Sequence, residues 1–505
     1  MSYGNLEVTK PTESRRHPMP ANSEEIVQQV RQEFEAILTF VLEASPKTVP
    51  DADSMERGLF RQLFALGRLL LRLYFRQQDR LVAPETVTTP KGRKLPLHSH
   101  KQCTYLSIFG SVEVNRRYYY LPGEGHSPLD ATLNLPKSGP SDLLREWQER
   151  LGMYGSYQKV THDLDEFLKQ KVSTRQVQHA IAEDAGAVKA FYEQVPALPP
   201  DPQASILVVQ ADGKGVPMRQ TTEASEKVRK GKGEKTSRKK EAIVTSVYTI
   251  APAPRTPEEV VASLFDPKKE SGETPKRGAP TNKRLFATLD GKDLALARTA
   301  DHVQKQEGAH IHARVALTDG AEALQQRVLG VCVGFVLVLD CIHAIEYLWK
   351  AANALLGETN EARSAWVKTR ALWLLWGQGE KVIADLRRIA SETGTSATAR
   401  KTLESVANYY ERNLAYMRYD AYLAAGWPIG TGVIEGACRH LVKDRCELSG
   451  MRWSQEGAEA LLQLRSVAEN GDWEAFHSYR RAQRRITLYG EDTPQDTPVE
   501  LRWAA

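Results

Sequence analysis

The sequence is poor in the features that mark secreted mini-domains, membrane proteins and polyelectrolytes. Cysteine is scarce: five in 505 residues, widely spaced at Cys103, Cys332, Cys341, Cys438 and Cys446. This excludes a dense disulfide framework and fits a reducing compartment. Long apolar runs are missing too. The longest, Val331 to Leu339, is about half of the ~20 residues that a membrane-spanning helix needs, and the Met1 to Lys10 start has no apolar segment of the secretory type. A cytoplasmic protein with no membrane partner is the expectation. Charge of one sign is also nearly absent, since 68 Lys and Arg against 63 Asp and Glu leave only +5. Any affinity for nucleic acid must therefore come from local clusters.

What is present is the composition of a folded protein, 41% hydrophobic and 26% charged, long enough for about three domains. Apolar residues recur at helical spacing over residues 23–46 and 54–81, giving an N-terminal helical region over 1–82. Residues 83–140 read as a small β-hairpin module. Its runs Thr104–Ile108 and Val112–Asn115 flank Phe109-Gly110-Ser111, and Arg116, Arg117 and Tyr118 to Tyr120 follow, basic and aromatic side chains that can pack or contact DNA. Residues 141–195 return to helical spacing, with a candidate helix-turn-helix over Tyr157–Asp184 in which Ser173 caps the second helix. An ordinary helical hairpin fits the same spacing. Pro196 to Pro202 then breaks the pattern.

From residue 204 onward, apolar runs at 205–211, 242–250, 284–289, 313–318 and 331–339, with helical segments at 292–306 and 321–328, predict a mixed α/β sheet. The first part of this core spans 196–343. A helical insertion follows over 344–426, then a last part over 427–477 and a tail over 478–505. Trp366, Trp373 and Trp376 in the insertion share one helical face and read as core packing rather than as a stack for an extruded base.

Three carboxylates stand out. Asp212 follows Ile206-Leu-Val-Val and is placed at the carboxyl end of a buried strand, with Gly213 and Gly215 allowing close approach of a ligand. Asp319 ends Val315-Ala-Leu-Thr and precedes Gly320, and Glu435 opens a helix after a glycine-rich break. Such a set suits hard divalent cations and phosphoryl transfer. Asp340 ends the next apolar run and competes with Asp319, while His343 can orient a carboxylate or contact phosphate. A zinc site of Cys341, His343, Cys438 and His440 is a weaker alternative, because its spacing departs from the usual structural pattern.

Four strings carry a family resemblance: Val209-Gln-Ala-Asp-Gly-Lys-Gly-Val-Pro-Met, Leu317-Thr-Asp-Gly-Ala, Leu339-Asp-Cys-Ile-His and Gly430-Thr-Gly-Val-Ile-Glu-Gly-Ala-Cys-Arg-His. They resemble the catalytic blocks of bacterial insertion-sequence DDE transposases of the ISKra type, in a group similar to Mutator-like transposases. The resemblance covers residues 204–476 and extends through Met451-Arg-Trp and Asn470-Gly-Asp-Trp. It implies an α/β RNase H-like catalytic domain with an all-α insertion, joined to a mostly helical N-terminal DNA-binding region with a small β-hairpin. It also implies Asp212, Asp319 and Glu435 as catalytic and metal-binding residues for Mg²⁺ or Mn²⁺, and Asp340 and His343 as accessory residues. In an RNase H-like sheet the second acid ends the fourth strand, which favours Asp319 over Asp340.

The expected partner is double-stranded DNA, both element ends and target, bound by a homodimer or larger homo-oligomer associated with the nucleoid. From Lys214 to Lys240 there are ten Lys or Arg and three Glu, a loop suited to phosphate contacts. Its candidate contacts are Lys214, Arg219, Lys227, Arg229, Lys230, Lys232, Arg238, Lys239 and Lys240, joined by Arg439 and Lys443 near the glutamate. A second exposed basic loop is expected over Pro267–Arg284. A structure-selective nuclease on the same fold and a non-catalytic DNA-binding protein derived from a transposase are the alternative functions.

Overall fold

The computed structural model describes residues 23–43, 51–89, 92–219, 239–266, 277–448 and 450–490. The chain divides into two compact units, one formed by 1–148, 158–174 and 480–505, the other by 149–157 and 175–479.

Unit one opens with α1 (Ser23–Leu42) and α2 (Ala52–Leu81), where Asp51 caps α2 by accepting from the Ser54 amide. A four-stranded antiparallel sheet follows, β1 (Thr86–Thr88), β2 (Lys94–Ser107), β3 (Gly110–Leu121) and β4 (Glu124–His126), in sequential order. The hairpin expected around Phe109-Gly110 is there. Gly110 sits at φ +111°, a conformation that favours glycine, and lets β3 pair with Ser107 directly after the turn. Both strands run well beyond the apolar runs that announced them. Arg116, Arg117 and Tyr118 to Tyr120 therefore lie on β3 itself, and their side chains are largely spent internally. Arg116 pairs with Asp130, Arg117 donates to the Asp79 backbone and its amide to the buried Asp79 carboxylate, and buried Tyr119 donates to the Pro84 carbonyl. Phe75, Val112, Val114, Leu129 and Leu135 form the core between α2, β3 and α3 (Pro128–Thr132).

The next helices are α4 (Asp142–Tyr154), α5 (Tyr157–Leu168), α6 (Thr174–Ala185) and α7 (Val188–Gln194). The helices expected as a helix-turn-helix are α5 and α6, and the division between units passes between them.

Unit two is built on a five-stranded sheet of β5 (Ile206–Pro217), β6 (Lys239–Ile250), β7 (Thr281–Thr288), β8 (Ala313–Thr318) and β9 (Val336–Leu339), in the order β7-β6-β5-β8-β9. The pairs β5 with β6 and β6 with β7 are antiparallel, whereas β8 is parallel to both β5 and β9. Helix α8 (Pro257–Phe265) links β6 to β7 and lies outside the expected elements. Its signal is nonetheless in the sequence, because Thr256 and Glu259 form a reciprocal capping box with Pro257 in the first turn. Helices α9 (Lys292–Gln306) and α10 (Glu322–Val331) follow β7 and β8. The last strand is shorter than the apolar run 331–339: Val331 still belongs to α10, and Gly334 turns at φ +84° before β9 begins.

Alternate residues explain why the first part of β5, Ile206 to Val209, is apolar on both faces. Ile206 and Val208 face one core, which holds the helices that follow β9, and Leu207, Val209 and Ala211 face the other, which holds α9 and α10. A run of helices follows β9: α11 (Cys341–Leu356), α12 (Ala362–Leu375), α13 (Gly379–Ser391), α14 (Ala397–Asn413), a 3₁₀ turn and α15 (Tyr419–Ala424). After Pro428 come α16 (Gly432–Ala437), a π-helical turn (Cys438–Lys443), α17 (Asp444–Cys446), α18 (Gln455–Glu469) and α19 (Trp473–Tyr489). Trp366 and Trp373 pack against the first of these cores and take the Arg370 guanidinium over their rings, at 3.7 and 5.6 Å, which agrees with packing. Trp376 departs from it, half-exposed with its indole N–H on Glu258.

Candidate active site

The parallel strands β5, β8 and β9 bring three aspartates to one end of the sheet. Asp319 directly follows β8, and Asp340 directly follows β9 and caps α11. Asp212 is placed differently from the expectation. Its strand continues to Pro217, and Asp212 lies within it, paired with Val244. It still marks an end, because the parallel pairing with β8 stops at Gln210. Gly213 and Gly215 do not open space for a ligand. A Cβ on Gly213 would meet the Glu241 carboxylate at 2.3 Å, and one on Gly215 the Lys239 side chain at 2.9 Å, so cross-strand side chains fill the volume that the glycines leave.

The carboxylates differ in what already binds them. Asp212 accepts the Gly213 amide at 2.6 Å on one oxygen and the weak Cys438 thiol donor at 3.3 Å on the other. Burial, with a further push from Asp319, raises its pKa. Among the described residues, the Asp319 carboxylate accepts only the Ala321 amide, at 3.0 Å. Glu435 is exposed in the first turn of α16 and accepts the Thr431 hydroxyl at 3.0 Å. Asp340 is fully buried and saturated: one oxygen takes the Ile342 amide at 3.0 Å, the other meets His343 Nδ1 at 2.7 Å and the Thr431 hydroxyl at 2.6 Å. The single Thr431 proton serves one carboxylate at a time, and its hydroxyl ties Asp340 to Glu435.

The hydrogen bond to Asp340 raises the His343 pKa to about 9, against an ordinary 6.5, so the ring is an imidazolium at neutral pH. Because the folded value is the higher one, this pair stabilises the fold fully below pH 6.5 and loses its contribution as pH rises through about 9. His343→Gln is therefore expected to cost stability most at pH 6 and progressively less towards pH 9.5, measured by urea titration at each pH. A gap that does not change with pH would show that the ring is neutral throughout.

The protein supports Asp319 from α14. Tyr409 of α14 stacks on Tyr347 with ring centroids 3.8 Å apart and donates its hydroxyl to the Asp319 carbonyl at 3.0 Å, while Arg412 donates to the Gly320 carbonyl at 2.9 Å. Gly320 is at φ +90°, and a Cβ there would lie 2.6 Å from the Tyr409 hydroxyl and 2.9 Å from Leu339. Gly320→Ala is thus expected to destabilise by about 2–3 kcal/mol from backbone strain and overpacking. A melting temperature equal to wild type would show that this turn relaxes freely.

Two further residues have no counterpart among the sequence-derived candidates. Thr431 has no sequence signature beyond lying among glycines. Gln210 interrupts an apolar strand and is buried; it accepts the Ile434 amide at 2.9 Å and donates to Tyr248 at 3.0 Å, which fixes the start of α16. A polar residue inside a strand buried on both faces is the available clue.

Among the described residues, the ligand atoms of Asp340, His343 and Glu435 fall within 4.8 Å of one another, as do those of Glu149, Asp184 and His477; Asp212, Asp319 and Glu435 do not form so tight a group. The residues of the zinc alternative are not gathered. Burial drives the Cys341 and Cys438 thiols well above their ordinary pKa, and His440 faces Asp444 at 3.2 Å. Of the basic candidates, Lys239 pairs with Glu447, Arg439 lies 3.7 Å from Asp444, Lys214 and Lys240 are half-buried, and Arg219 and Lys443 are exposed. Lys227, Arg229, Lys230, Lys232 and Arg238 lie outside the described residues, as does most of the second basic loop, 267–276.

No protein-family model matches the chain, and no curated protein does. Among solved structures, it is similar to the Drosophila P element transposase strand transfer complex, with 10% identity over 71% of this chain and 83% of that one, at a TM-score of 0.24. No helix among the described residues is long and apolar enough to cross a membrane.

Proposed function

We propose that the chain is a DNA transposase of the DDE type, with an RNase H-like catalytic domain in unit two and element-end binding in its N-terminal region. The observation that carries this reading is the placement of the acids. Asp212 lies within the first strand, two residues past the last residue paired with its parallel neighbour, Asp319 directly follows the fourth strand, and Glu435 enters from a later helix, an order of acids that supports the reading the sequence resemblance implies.

The donor set fits a hard divalent cation, Mg²⁺ or Mn²⁺. Asp212, Asp319 and Glu435 each keep an oxygen that takes no strong donor, and the upward push on the Asp212 pKa reflects burial and crowded negative charge that a cation relieves. When bound, the metal supplies charge neutralisation for the attacking oxygen and for the departing 3′-oxygen. Asp340, with both oxygens occupied, holds His343 and Thr431 in place. The His343 imidazolium adds a positive charge beside the carboxylates, and Thr431 fixes the Glu435 side chain. Exposed Arg219 and Lys443 contact phosphates together with the basic loop between β5 and β6. The assembly on duplex DNA is a homodimer or larger.

Purified protein incubated with DNA carrying the element ends should give Mg²⁺- or Mn²⁺-dependent strand cleavage and products joined to a second DNA. Cleavage without joined products would favour the structure-selective nuclease. Binding to ends with no cleavage in either metal would favour the non-catalytic descendant.

A further inference from the structure

Unit one carries a cleft of about 780 Å³ between α2, the β2–β3 turn and the segment that ends α5. Its lining is strongly cationic: Arg61, Arg68, Lys169 and Lys171 line it and, among the described residues, none of them pairs with a carboxylate, while the lining acid is Glu166. A fifth cation, Arg57, is held by Asp53 at 2.8 Å.

The same cleft is aromatic. Phe60 and Phe64 lie 4.7 Å apart, Phe64 meets Phe109 edge-on at 5.6 Å, and Phe167 lines the cleft beyond them. Phe60 is 46% exposed and Phe167 61% exposed, a considerable apolar area to leave in water beside so much charge. Lys169 also adopts φ +53°, a conformation that favours glycine or asparagine, so the chain bears a backbone cost where it presents this ammonium.

We infer that this cleft holds an unpaired DNA strand, with phosphates on the cations and bases against the phenylalanine rings. Phenylalanine has no polar atom with which to read a base edge or a phosphate, so its contribution is to a base face, which an intact duplex hides in its stack. The cations supply the charge complementarity, and the volume suits a few nucleotides rather than a duplex. The expectation from sequence, that the N-terminal region reads duplex ends, does not include such a site. The inference rests on the proposed action on DNA, and it is tested by binding alone so that the two can fail separately.

The experiment measures anisotropy of a labelled oligothymidylate of about 12 nucleotides with the full chain in EDTA, against four unlabelled competitors: the oligothymidylate itself, an abasic strand of equal length, a duplex, and polyglutamate. Oligothymidylate is expected to compete best. Joint Phe60→Ala and Phe167→Ala should weaken its binding about tenfold or more, whereas Phe167→Tyr, which keeps the ring, should not. Joint Lys169→Gln and Lys171→Gln should lower the slope of log K against log salt by about 0.7 for each phosphate that is no longer neutralised. Unchanged binding in the phenylalanine variant overturns the inference, as does an abasic strand that competes equally. Equal competition by polyglutamate overturns it in favour of an acidic peptide. Strand binding that persists in a protein unable to cleave in Mg²⁺ or Mn²⁺ would leave this site standing while removing the catalytic reading.

Discussion

Asp319→Asn is expected to lower metal-dependent DNA cleavage by at least about 100-fold while leaving the fold unchanged. The substitution keeps the size of the side chain and an oxygen for the Ala321 amide. The backbone at this turn is anchored independently, by the Tyr409 hydroxyl on the Asp319 carbonyl and by Arg412 on the Gly320 carbonyl. What is lost is one negative charge where a cation is to be held, which affects chemistry and not packing. Asp212→Asn and Glu435→Gln should behave alike. The check is cleavage of end-bearing DNA in Mg²⁺ and Mn²⁺ alongside a thermal melt. Full cleavage by any one variant removes that residue from the triad.

Asp340→Ala is expected to behave in the opposite way, destabilising the fold by about 3–5 kcal/mol. Asp340 is fully buried and compensates three groups: the His343 imidazolium, the Thr431 hydroxyl and the Ile342 amide at the start of α11. Removing the carboxylate leaves a charge without its partner and a helix without its cap. Urea denaturation of the two alanine variants separates the roles, since Asp319→Ala should melt close to wild type. If Asp340→Ala keeps wild-type stability but loses cleavage while Asp319→Ala still cleaves, Asp340 is the metal-binding residue and the assignment of Asp319 fails.

Sequence by itself determined a good deal. Apolar spacing of 3.6 located the two N-terminal helices and the helices after β9, and short continuous apolar runs located the strands of the larger sheet, because both patterns are local marks that burial leaves on an element. Asp-Gly after an apolar run marked the strand end at Asp319 for the same reason, as turn chemistry is written within a few residues. Local signals also ran out at identifiable places. The run 331–339 looked like one strand, yet Gly334 breaks it, and apolar residues on both sides of a turn read alike in a local window.

Tertiary structure decided what each polar side chain is used for. Arg116 and Arg117 read as side chains for either packing or DNA contact, and pairing with Asp130 and Asp79 is what uses them internally. Gly213 and Gly215 read as room for a ligand until the antiparallel partner places Glu241 and Lys239 there. Asp319 and Asp340 are equivalent in pattern, each ending an apolar run. Beyond their local contacts they are distinguished by Thr431, which lies 91 residues beyond Asp340, and by Tyr409, which lies 90 beyond Asp319. The physical reason is common to all of these: a hydrogen bond or an ion pair depends on two groups meeting at about 3 Å, and the identity of the second group is set by strand order and helix packing, which no local window of sequence contains.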